Sequence, residues 1–209
     1  MDIPSRRQVM IAAMAFPSAM SIGGRRSSAA AGELRFDFTR PLEGWETVTG
    51  KWSIEEVPGA TQGKALVQHA TDNAFCVIVA PGGPYAGVDV SARFKPMSGR
   101  EDASGGLVFR FSEGRYYVIR ANALEDNFNL YYYDRGRREI TGVRVKAPAL
   151  GQWHKLRVSA EGDRIQGWLD DQRLLDVRDK RFSNGRIGLW TKADSITAFD
   201  DLVVRSTSG

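Results

Sequence analysis

The last third of the chain is made of short runs in which apolar and polar residues alternate, separated by turn sequences such as Glu161-Gly162-Asp163 and Ser183-Asn184-Gly185. Alternation with a period of two places successive side chains on opposite faces of a β-strand. Short strands at this spacing predict an antiparallel β-sandwich. The runs that show the pattern are residues 154–159, 164–169, 172–176, 185–191 and 197–205.

The rest of the chain continues the same pattern. Runs of strand-like composition begin at residue 34 and recur as far as residue 145, and none shows a sustained helical period. A short helix or loop over residues 123–127 is the one interruption that we expect. The total is roughly a dozen strands, which is enough for two facing sheets. The predicted fold class is therefore all-β, a sandwich of two antiparallel sheets.

The first 31 residues differ from the others. A short basic start is followed by a mostly apolar stretch and by the small residues Ser27 to Ala31. This order predicts an export signal over residues 1–31 and a single domain over residues 32–209. The Arg6-Arg7 pair indicates the twin-arginine route, although a chance pair in a general export signal is the alternative. We expect a periplasmic or secreted bacterial protein.

The net charge of +4 does not indicate a nucleic-acid partner. Four arginines and one aspartate belong to the predicted leader, so the 29 basic and 25 acidic residues of the chain become 25 and 24 in residues 32–209. A nearly neutral domain lacks the basic surface that phosphate backbones require. The apolar stretch of the leader is also too short for a stable membrane span.

Period-two alternation predicts which side chains share the outer face of one sheet. In the run from Leu107 to Phe111, the three apolar residues Leu107, Phe109 and Phe111 should point to the core and Arg110 outward. The same rule applied to the neighbouring runs predicts further outward side chains. They are Tyr116, Arg120, Asn122, Asn127, Asn129, Tyr131, Trp190 and Lys192.

A concave sheet face that carries aromatic rings beside guanidinium, amide and ammonium groups suits a sugar. Aromatic faces pack on C–H groups, and polar groups bridge adjacent hydroxyls. The sequence therefore predicts a carbohydrate partner at this face. The alternative is an ordinary solvated sheet face with cross-strand pairs.

Both ends of the chain resemble the concanavalin A-like lectin and glucanase jelly rolls. The resemblance is carried by Gly44-Trp45 followed by Gly50-Lys51-Trp52-Ser53, by the Gly-x-Ile-Gly-Leu strand at 185–189, and by the closing strand that starts at Phe199. Residues 120–131 are similar to a segment of the bacterial 3-keto-disaccharide hydrolase domains, loosely family 16 glycoside hydrolase-like. This resemblance implies a sugar-related role.

Catalysis remains open at this stage. The family 16 motif Glu-x-Asp-x-x-Glu is absent from the sequence, and glycoside hydrolysis usually requires two carboxyl groups. If the chain is an enzyme, we expect Glu125 to be the acid or base and Asp194 the second carboxylate or an orienting group, with Arg110 and Arg120 holding substrate oxygens. The alternatives are a noncatalytic glycan-binding module and a structural protein of the cell envelope.

No cofactor is predicted, but a structural calcium ion is left open. The resemblance implies carboxylates from the first and last strands, for which Asp37, Asp200 and Asp201 are the candidates. The alternative is that these acids cap strand ends or pair with arginines. Zinc is not expected, because the chain has only two histidines and one cysteine.

Overall fold

The computed structural model describes residues 1, 32–71 and 74–207, so the predicted leader lies outside the described residues apart from Met1. The described part consists of strands joined by turns and loops. The fifteen strands are β1 Glu33–Phe36, β2 Glu46–Thr47, β3 Trp52–Glu56, β4 Lys64–Gln68, β5 Phe75–Val79, β6 Gly87–Ser98, β7 Ser104–Ser112, β8 Arg115–Asn122, β9 Glu125–Tyr133, β10 Arg137–Arg144, β11 His154–Glu161, β12 Arg164–Leu169, β13 Gln172–Arg178, β14 Arg186–Lys192 and β15 Ile196–Thr207.

These strands form two antiparallel sheets. The eight-stranded sheet has the order β13-β12-β11-β6-β15-β4-β3, with β1 paired to β15. The seven-stranded sheet has the order β10-β9-β8-β7-β14-β5-β2. Non-consecutive neighbours such as β7 and β14 arise because the chain passes between the sheets, as in a jelly roll. The predicted all-β jelly-roll sandwich is confirmed.

The core lies between the sheets and takes one side of each strand. Leu107, Ile119, Leu130 and Leu189 are fully buried there. The predicted alternation is confirmed for β8, β9 and β14, because their other side chains belong to a separate apolar cluster that includes Tyr116, Tyr131 and Trp190. Over residues 32–71 and 74–207 no helix is found, hence none with the length and apolarity to span a bilayer.

The expected helix or loop over residues 123–127 is wrong. Ala123 and Leu124 alone make the turn, and β9 begins at Glu125. The Asn122 carboxamide explains this tight reversal, because its Oδ1 accepts hydrogen bonds from the backbone N–H groups of Leu124 at 2.9 Å and Ala103 at 3.2 Å. A side chain that satisfies two backbone donors stabilises a turn that short.

Gly188 permits the close approach of β14 to β5. A Cβ atom at this position would lie 2.4 Å from the backbone oxygen of Ile78, and a backbone atom within a sheet cannot move aside. We expect Gly188→Ala to lower the free energy of unfolding by about 1–3 kcal/mol, as overpacking does. Chemical denaturation measures the difference. Gly32→Ala is the control, because a Cβ there meets nothing within 4 Å; equal stability of the two variants would contradict the explanation.

Candidate functional site

The outer side of the seven-stranded sheet, which we call the front face, carries most of the predicted site residues. The strand registers place them side by side: Arg120 lies opposite Asn129 and opposite Gly106, and Gly106 lies opposite Trp190. Cross-strand partners point to the same face. Arg120 and Trp190 therefore share the front face, separated by a glycine that has no side chain.

The front face is strongly concave. Phe75 on β5 and Tyr133 on β9 have ring centroids only 5.8 Å apart, although β14, β7 and β8 lie between their strands. In a flat sheet those strands would be about 19 Å apart. The Arg137 guanidinium on β10 also reaches to 5.3 Å from the Phe75 ring. Side chains from both edges of the sheet thus meet across the face.

Aromatic rings cover one end of this concave face. Phe75 stacks on Trp190 at 5.6 Å and meets Tyr133, which in turn stacks on Tyr116 at 5.1 Å. Burial raises the pKa of the Tyr116 hydroxyl, so this side chain stays neutral. A cavity of 350 Å³, which we call the aromatic cavity, opens here. It is lined by Val48, Thr49, Ala74, Phe75, Val77, Phe111, Gly114, Tyr116 and Tyr133.

Charged groups occupy the other end of the front face. The Arg120 guanidinium is 3% exposed and donates hydrogen bonds to Glu125 Oε2 at 2.9 Å and to the Tyr131 hydroxyl at 3.2 Å. Burial by itself would raise the pKa of Glu125, but hydrogen bonds from Asn127 and Arg120 and the positive charges of Arg120 and Lys192 hold it below its usual value. Glu125 is therefore ionised at neutral pH.

Further polar side chains lie beside Arg120 and Glu125, and we call the whole group the charged cluster: Arg120, Glu125, Asn122, Asn127, Lys192 and Asp102. Lys192 Nζ lies 3.5 Å from Asp102 Oδ2, and the Asp102 side chain is fully buried. Several buried polar atoms of the cluster have no hydrogen-bond partner among the described residues: Arg120 Nε and Nη1, Asn122 Nδ2 and Asn127 Oδ1. Buried polar groups are usually hydrogen-bonded, so this part of the face has unused hydrogen-bonding capacity.

Arg110 is not part of the front face, so its predicted outward position is wrong. A β-bulge interrupts the pairing of β7 with β8 between Phe109 and Ser112, and Arg110 has a left-handed backbone with φ of 53°. The extra residue reverses the alternation, so Phe111 joins the front-face aromatics. The buried Arg110 guanidinium instead donates to the carbonyl oxygens of Phe182 at 2.7 Å and Gly162 at 2.6 Å.

Asp194 does not pair with Glu125 either. Its carboxylate accepts hydrogen bonds from the backbone N–H groups of Arg100 at 2.6 Å and of Glu101 and Asp102 at 3.0 Å each. Burial would raise the pKa of Asp194, but these hydrogen bonds lower it. Asp194 thus holds the loop that positions Asp102, and Asp102 is the carboxylate that the fold brings to the charged cluster.

Three side chains of the front face, Phe75, Arg137 and Asp102, are not among those that the alternation predicts. Arg137 lies in β10, with its guanidinium 4.5 Å from the centre of the Tyr131 ring. In the register of β10 with β9, Arg137 lies opposite Tyr133 and Glu139 lies opposite Tyr131. Because cross-strand partners point to the same face, this alternation places Arg137 on the front face.

Asp37, Asp200 and Asp201 do not converge on a metal position. Asp37 accepts hydrogen bonds from Thr39, whereas Asp200 and Asp201 face the Arg93 guanidinium at 3.1 and 3.6 Å. Arg93 also donates to the carbonyl oxygen of Gly59 at 2.9 Å. Within residues 32–71 and 74–207, no group of three or more His, Cys, Asp or Glu side chains could hold a metal ion. Arg93 supplies the positive charge that these oxygens require.

Comparison with known proteins identifies the family. Residues 36–205 match the family of 3-keto-alpha-glucoside-1,2-lyase-like domains. The chain belongs to this family. The resemblance to 3-keto-disaccharide hydrolase domains that the sequence showed is thereby confirmed, and membership extends over nearly all the residues from β1 to β15.

One curated protein is similar to most of the chain in sequence. The levanase of Bacillus subtilis strain 168 is 26% identical over 156 residues, which are 73% of this chain and 21% of levanase. This chain therefore spans about a fifth of the length of that curated relative.

Solved structures show the same architecture. The carbohydrate binding module CBM66 from B. subtilis superposes with a TM-score of 0.68 at 24% identity, over 79% of this chain and 97% of the module. The β-glucanase of Bacillus licheniformis gives a TM-score of 0.58 at 14% identity, over 85% of this chain and 99% of that chain. These superpositions show that the chain shares its β-sandwich fold with both proteins.

The contacts of Arg93 generate a prediction about calcium. We expect the melting temperature of the protein to be the same with calcium and with a chelator, because a guanidinium already neutralises Asp200 and Asp201. Arg93→Met should lower the stability by about 3 kcal/mol, since it leaves the buried Asp200 carboxylate unpaired, and should make the melting temperature rise with added calcium.

The matched control is Arg164→Met. Arg164 pairs with Asp176 at 2.6 Å on the surface of the eight-stranded sheet, and exposed pairs contribute about 0–1 kcal/mol. Thermal unfolding of the wild type and both variants gives the comparison. A wild-type melting temperature that rises with calcium would show that Arg93 does not occupy the cation position.

Proposed function

We propose that this chain is an exported carbohydrate-binding protein that holds a saccharide against the concave front face. The observation that carries the proposal is the aromatic cavity, whose 350 Å³ lie within the range of about 300–1,000 Å³ typical of small-ligand sites. Four of its nine lining residues are aromatic, and the charged side chains of Arg120, Glu125 and Lys192 lie on the same face. Export rests on the basic start, apolar stretch and small residues of the first 31 positions.

The front face has an aromatic end and a charged end. A sugar presents both apolar C–H groups and polar hydroxyl groups, which suit these two ends. Phe75 and Tyr133 offer aromatic surface for the C–H faces of a ring, and burial of that surface supplies the affinity. Arg137, which lies over the Phe75 and Tyr131 rings, offers a guanidinium at the edge of the cavity. A planar guanidinium donates hydrogen bonds in a fixed geometry, which orients the hydroxyl oxygens of a ligand.

The relatives support a sugar as ligand and suggest the first one to test. Levanase is by its name an enzyme of levan, and the CBM66 module is by its description a carbohydrate-binding module. Oligosaccharides of levan are therefore the first probes, followed by β-glucan oligosaccharides in view of the β-glucanase fold.

Binding is favoured over hydrolysis by the charge states of the carboxyl groups. A glycosidase needs one carboxyl group that stays protonated at working pH. Six carboxyl groups of the described residues have a pKa that departs clearly from the usual value, and in all six the pKa is lowered. Glu125 and Asp194, the expected catalytic pair, are both among them, so neither is suited to the role of general acid.

A second candidate function is elimination on a 3-keto glucoside, which the family description favours. A keto group at C3 acidifies the neighbouring C2–H bond. The ionised Glu125 would take that proton, the electrons would form the C1=C2 bond, and the glycosidic oxygen would leave with the proton. Arg120 and Lys192 supply positive charge near the enolate oxygen that forms meanwhile. No protonated carboxyl group is needed at the start.

Binding at the aromatic cavity predicts the effect of removing its rings. We expect Phe75→Ala and Tyr133→Ala each to weaken binding of levan oligosaccharides by roughly tenfold, through lost contact with the sugar ring. Isothermal titration calorimetry gives the dissociation constants. Trp168→Ala is the matched control, since Trp168 stacks on Arg157 at 4.4 Å in the opposite sheet. Equal losses in all three variants would place the sugar elsewhere.

Elimination predicts a separate effect of Glu125→Gln. With methyl 3-keto-α-glucopyranoside as probe, we expect the variant to lose roughly 10²–10⁴-fold in the rate of enone formation, followed by ultraviolet absorbance, because the base is gone. Asp126→Asn is the control, since Asp126 is exposed and faces Arg144. A wild type without turnover on this probe, or a Glu125→Gln variant at full rate, excludes this second function and leaves the binding proposal intact.

A further inference from the structure

A groove of 690 Å³ lies on the outer side of the eight-stranded sheet, and we call it the back groove. Five basic side chains and one carboxylate line it. They belong to Arg35, Arg93, Lys155, Arg157, Arg205 and Asp201. Residues 32–209 as a whole are nearly neutral, with 25 basic and 24 acidic residues, so positive charge is concentrated in this groove. None of these residues belongs to the front face.

The strand registers explain why the back groove has basic walls and a low floor. Arg35 on β1 lies opposite Val203, Val203 lies opposite Ser91, and Ser91 lies opposite Arg157 on β11. Because cross-strand partners point to the same face, the two arginines stand on either side of two short side chains. Three strand spacings separate β1 from β11, which is about 14 Å.

The carboxylates that pair with the arginines of the groove lie deeper than the guanidinium groups. The Arg157 side chain is 42% exposed, whereas that of Asp89 is only 12% exposed. Arg35 and Arg205, at 65% and 44%, share the carboxylate of Glu33, which is 33% exposed. The positive partner of each ion pair is therefore the one that a ligand in the groove contacts first.

These ion pairs leave hydrogen-bond donors unused. Glu33 pairs with the Nε groups of Arg35 and Arg205, and Asp89 accepts from Nε and Nη2 of Arg157 at 3.0 and 2.7 Å. Within the described part of the chain, the Nη1 group of each of these three arginines has no hydrogen-bond partner. A guanidinium is a rigid fork of five N–H donors that matches a carboxylate. Each arginine can therefore bind a second carboxylate.

We propose that the back groove binds an acidic polysaccharide through the carboxylate groups of its sugar units. Arg35, Arg157 and Arg205 supply paired donors, and Lys155 adds a further positive charge. Hydrogen bonds between ionised partners are roughly twice as strong as those between neutral groups. The inference goes beyond the proposed function, because it concerns a different sheet and a charged ligand instead of a neutral one.

The surroundings of the groove favour a narrow chain over duplex DNA. On the same face, Arg205 lies between Glu33 and Asp89 in the cross-strand register, and Gln166 lies opposite Asp176 farther along this row. Carboxylates thus border the basic lining. A wide polyanion that needs many phosphate contacts would meet these acids as well as the arginines. A single extended chain fits between them.

The apolar lining of the groove does not favour a lipid surface either. Its two apolar residues, Ala92 and Val203, are buried at 1% and 7% exposure. Association with a bilayer draws on apolar side chains that enter the headgroup region as well as on basic ones. The back groove offers basic side chains alone, so the expected partner is a soluble polyanion.

The experiment compares one oligosaccharide with and without its charges. Trigalacturonate and its fully methyl-esterified form are titrated into the full chain by calorimetry. We expect trigalacturonate to bind at least roughly tenfold more tightly than the ester, because only the free carboxylates pair with guanidinium groups. Its affinity should fall as sodium chloride rises from about 20 mM to about 200 mM, since salt screens exposed charges. A short duplex DNA and vesicles that contain phosphatidylglycerol should bind more weakly.

Variants locate the binding in the groove. Arg35→Ala and Arg205→Ala should each weaken trigalacturonate binding by roughly fivefold, and the double variant by about twentyfold. The matched control is the double variant Arg115→Ala, Arg144→Ala, which changes the net charge equally at exposed positions of the seven-stranded sheet. It should bind trigalacturonate as the wild type does. Circular dichroism confirms that each variant is folded.

The outcomes keep this inference separate from the proposed function. Equal binding of trigalacturonate and its ester, wild-type affinity in the Arg35→Ala, Arg205→Ala variant, equal losses in the control, or tighter binding of DNA or vesicles would each overturn the acidic polysaccharide site. Levan binding by the Arg35→Ala, Arg205→Ala variant should remain unchanged. Conversely, Phe75→Ala should leave trigalacturonate affinity unchanged, because Phe75 lies in the other sheet; a loss there would place the acidic chain on the front face and overturn the inference.

Discussion

The curvature of the seven-stranded sheet is the constraint on which the candidate site depends. The side chains of the front face come from several strands, and in a flat sheet those of β5 and β9 would not meet. Curvature brings Phe75 from one edge to 5.8 Å from Tyr133 near the other edge. The same curvature buries Trp190 completely although it points away from the core between the sheets. The sheet thus has a second apolar layer, which only a concave face can shield from water.

The charged side chains of the front face are stabilised by ion pairs rather than by contact with water. Arg120 is neutralised by Glu125, and Lys192 lies beside Asp102. Isolated charges in such a position would cost several kcal/mol each, at order of magnitude. The pairing leaves donors of Arg120 unused, because one carboxylate and one hydroxyl cannot satisfy all five guanidinium hydrogens. The unused donors of Arg120 lie below the surface of the face, beside the partly exposed carboxylate of Glu125.

Local sequence patterns predicted the fold and part of the site, for reasons visible in particular residues. Alternation assigned Arg120, Tyr131 and Trp190 to one face correctly, because β8, β9 and β14 keep a regular pleat where these residues lie. It failed at Arg110, because one extra residue in a bulge reverses the alternation and no turn sequence announces it. Phe75 and Arg137 were missed for a different reason: their meeting depends on curvature summed over several strands, which no single run of residues encodes.

The ionisation of the carboxyl groups bears on which function the front face can perform: binding, elimination or hydrolysis. Asp194 is committed to three backbone N–H groups, and Glu125 is committed to Arg120 and Asn127. Such partners stabilise the ionised form, which can accept a proton but cannot supply one at the start of a reaction. Hydrolysis by a protonated acid is therefore disfavoured by the same hydrogen bonds that order the face. Binding needs no titration at all, and elimination needs only a base, so both functions are compatible with an ionised Glu125, whereas neither Glu125 nor Asp194 is suited to be the acid of a hydrolase.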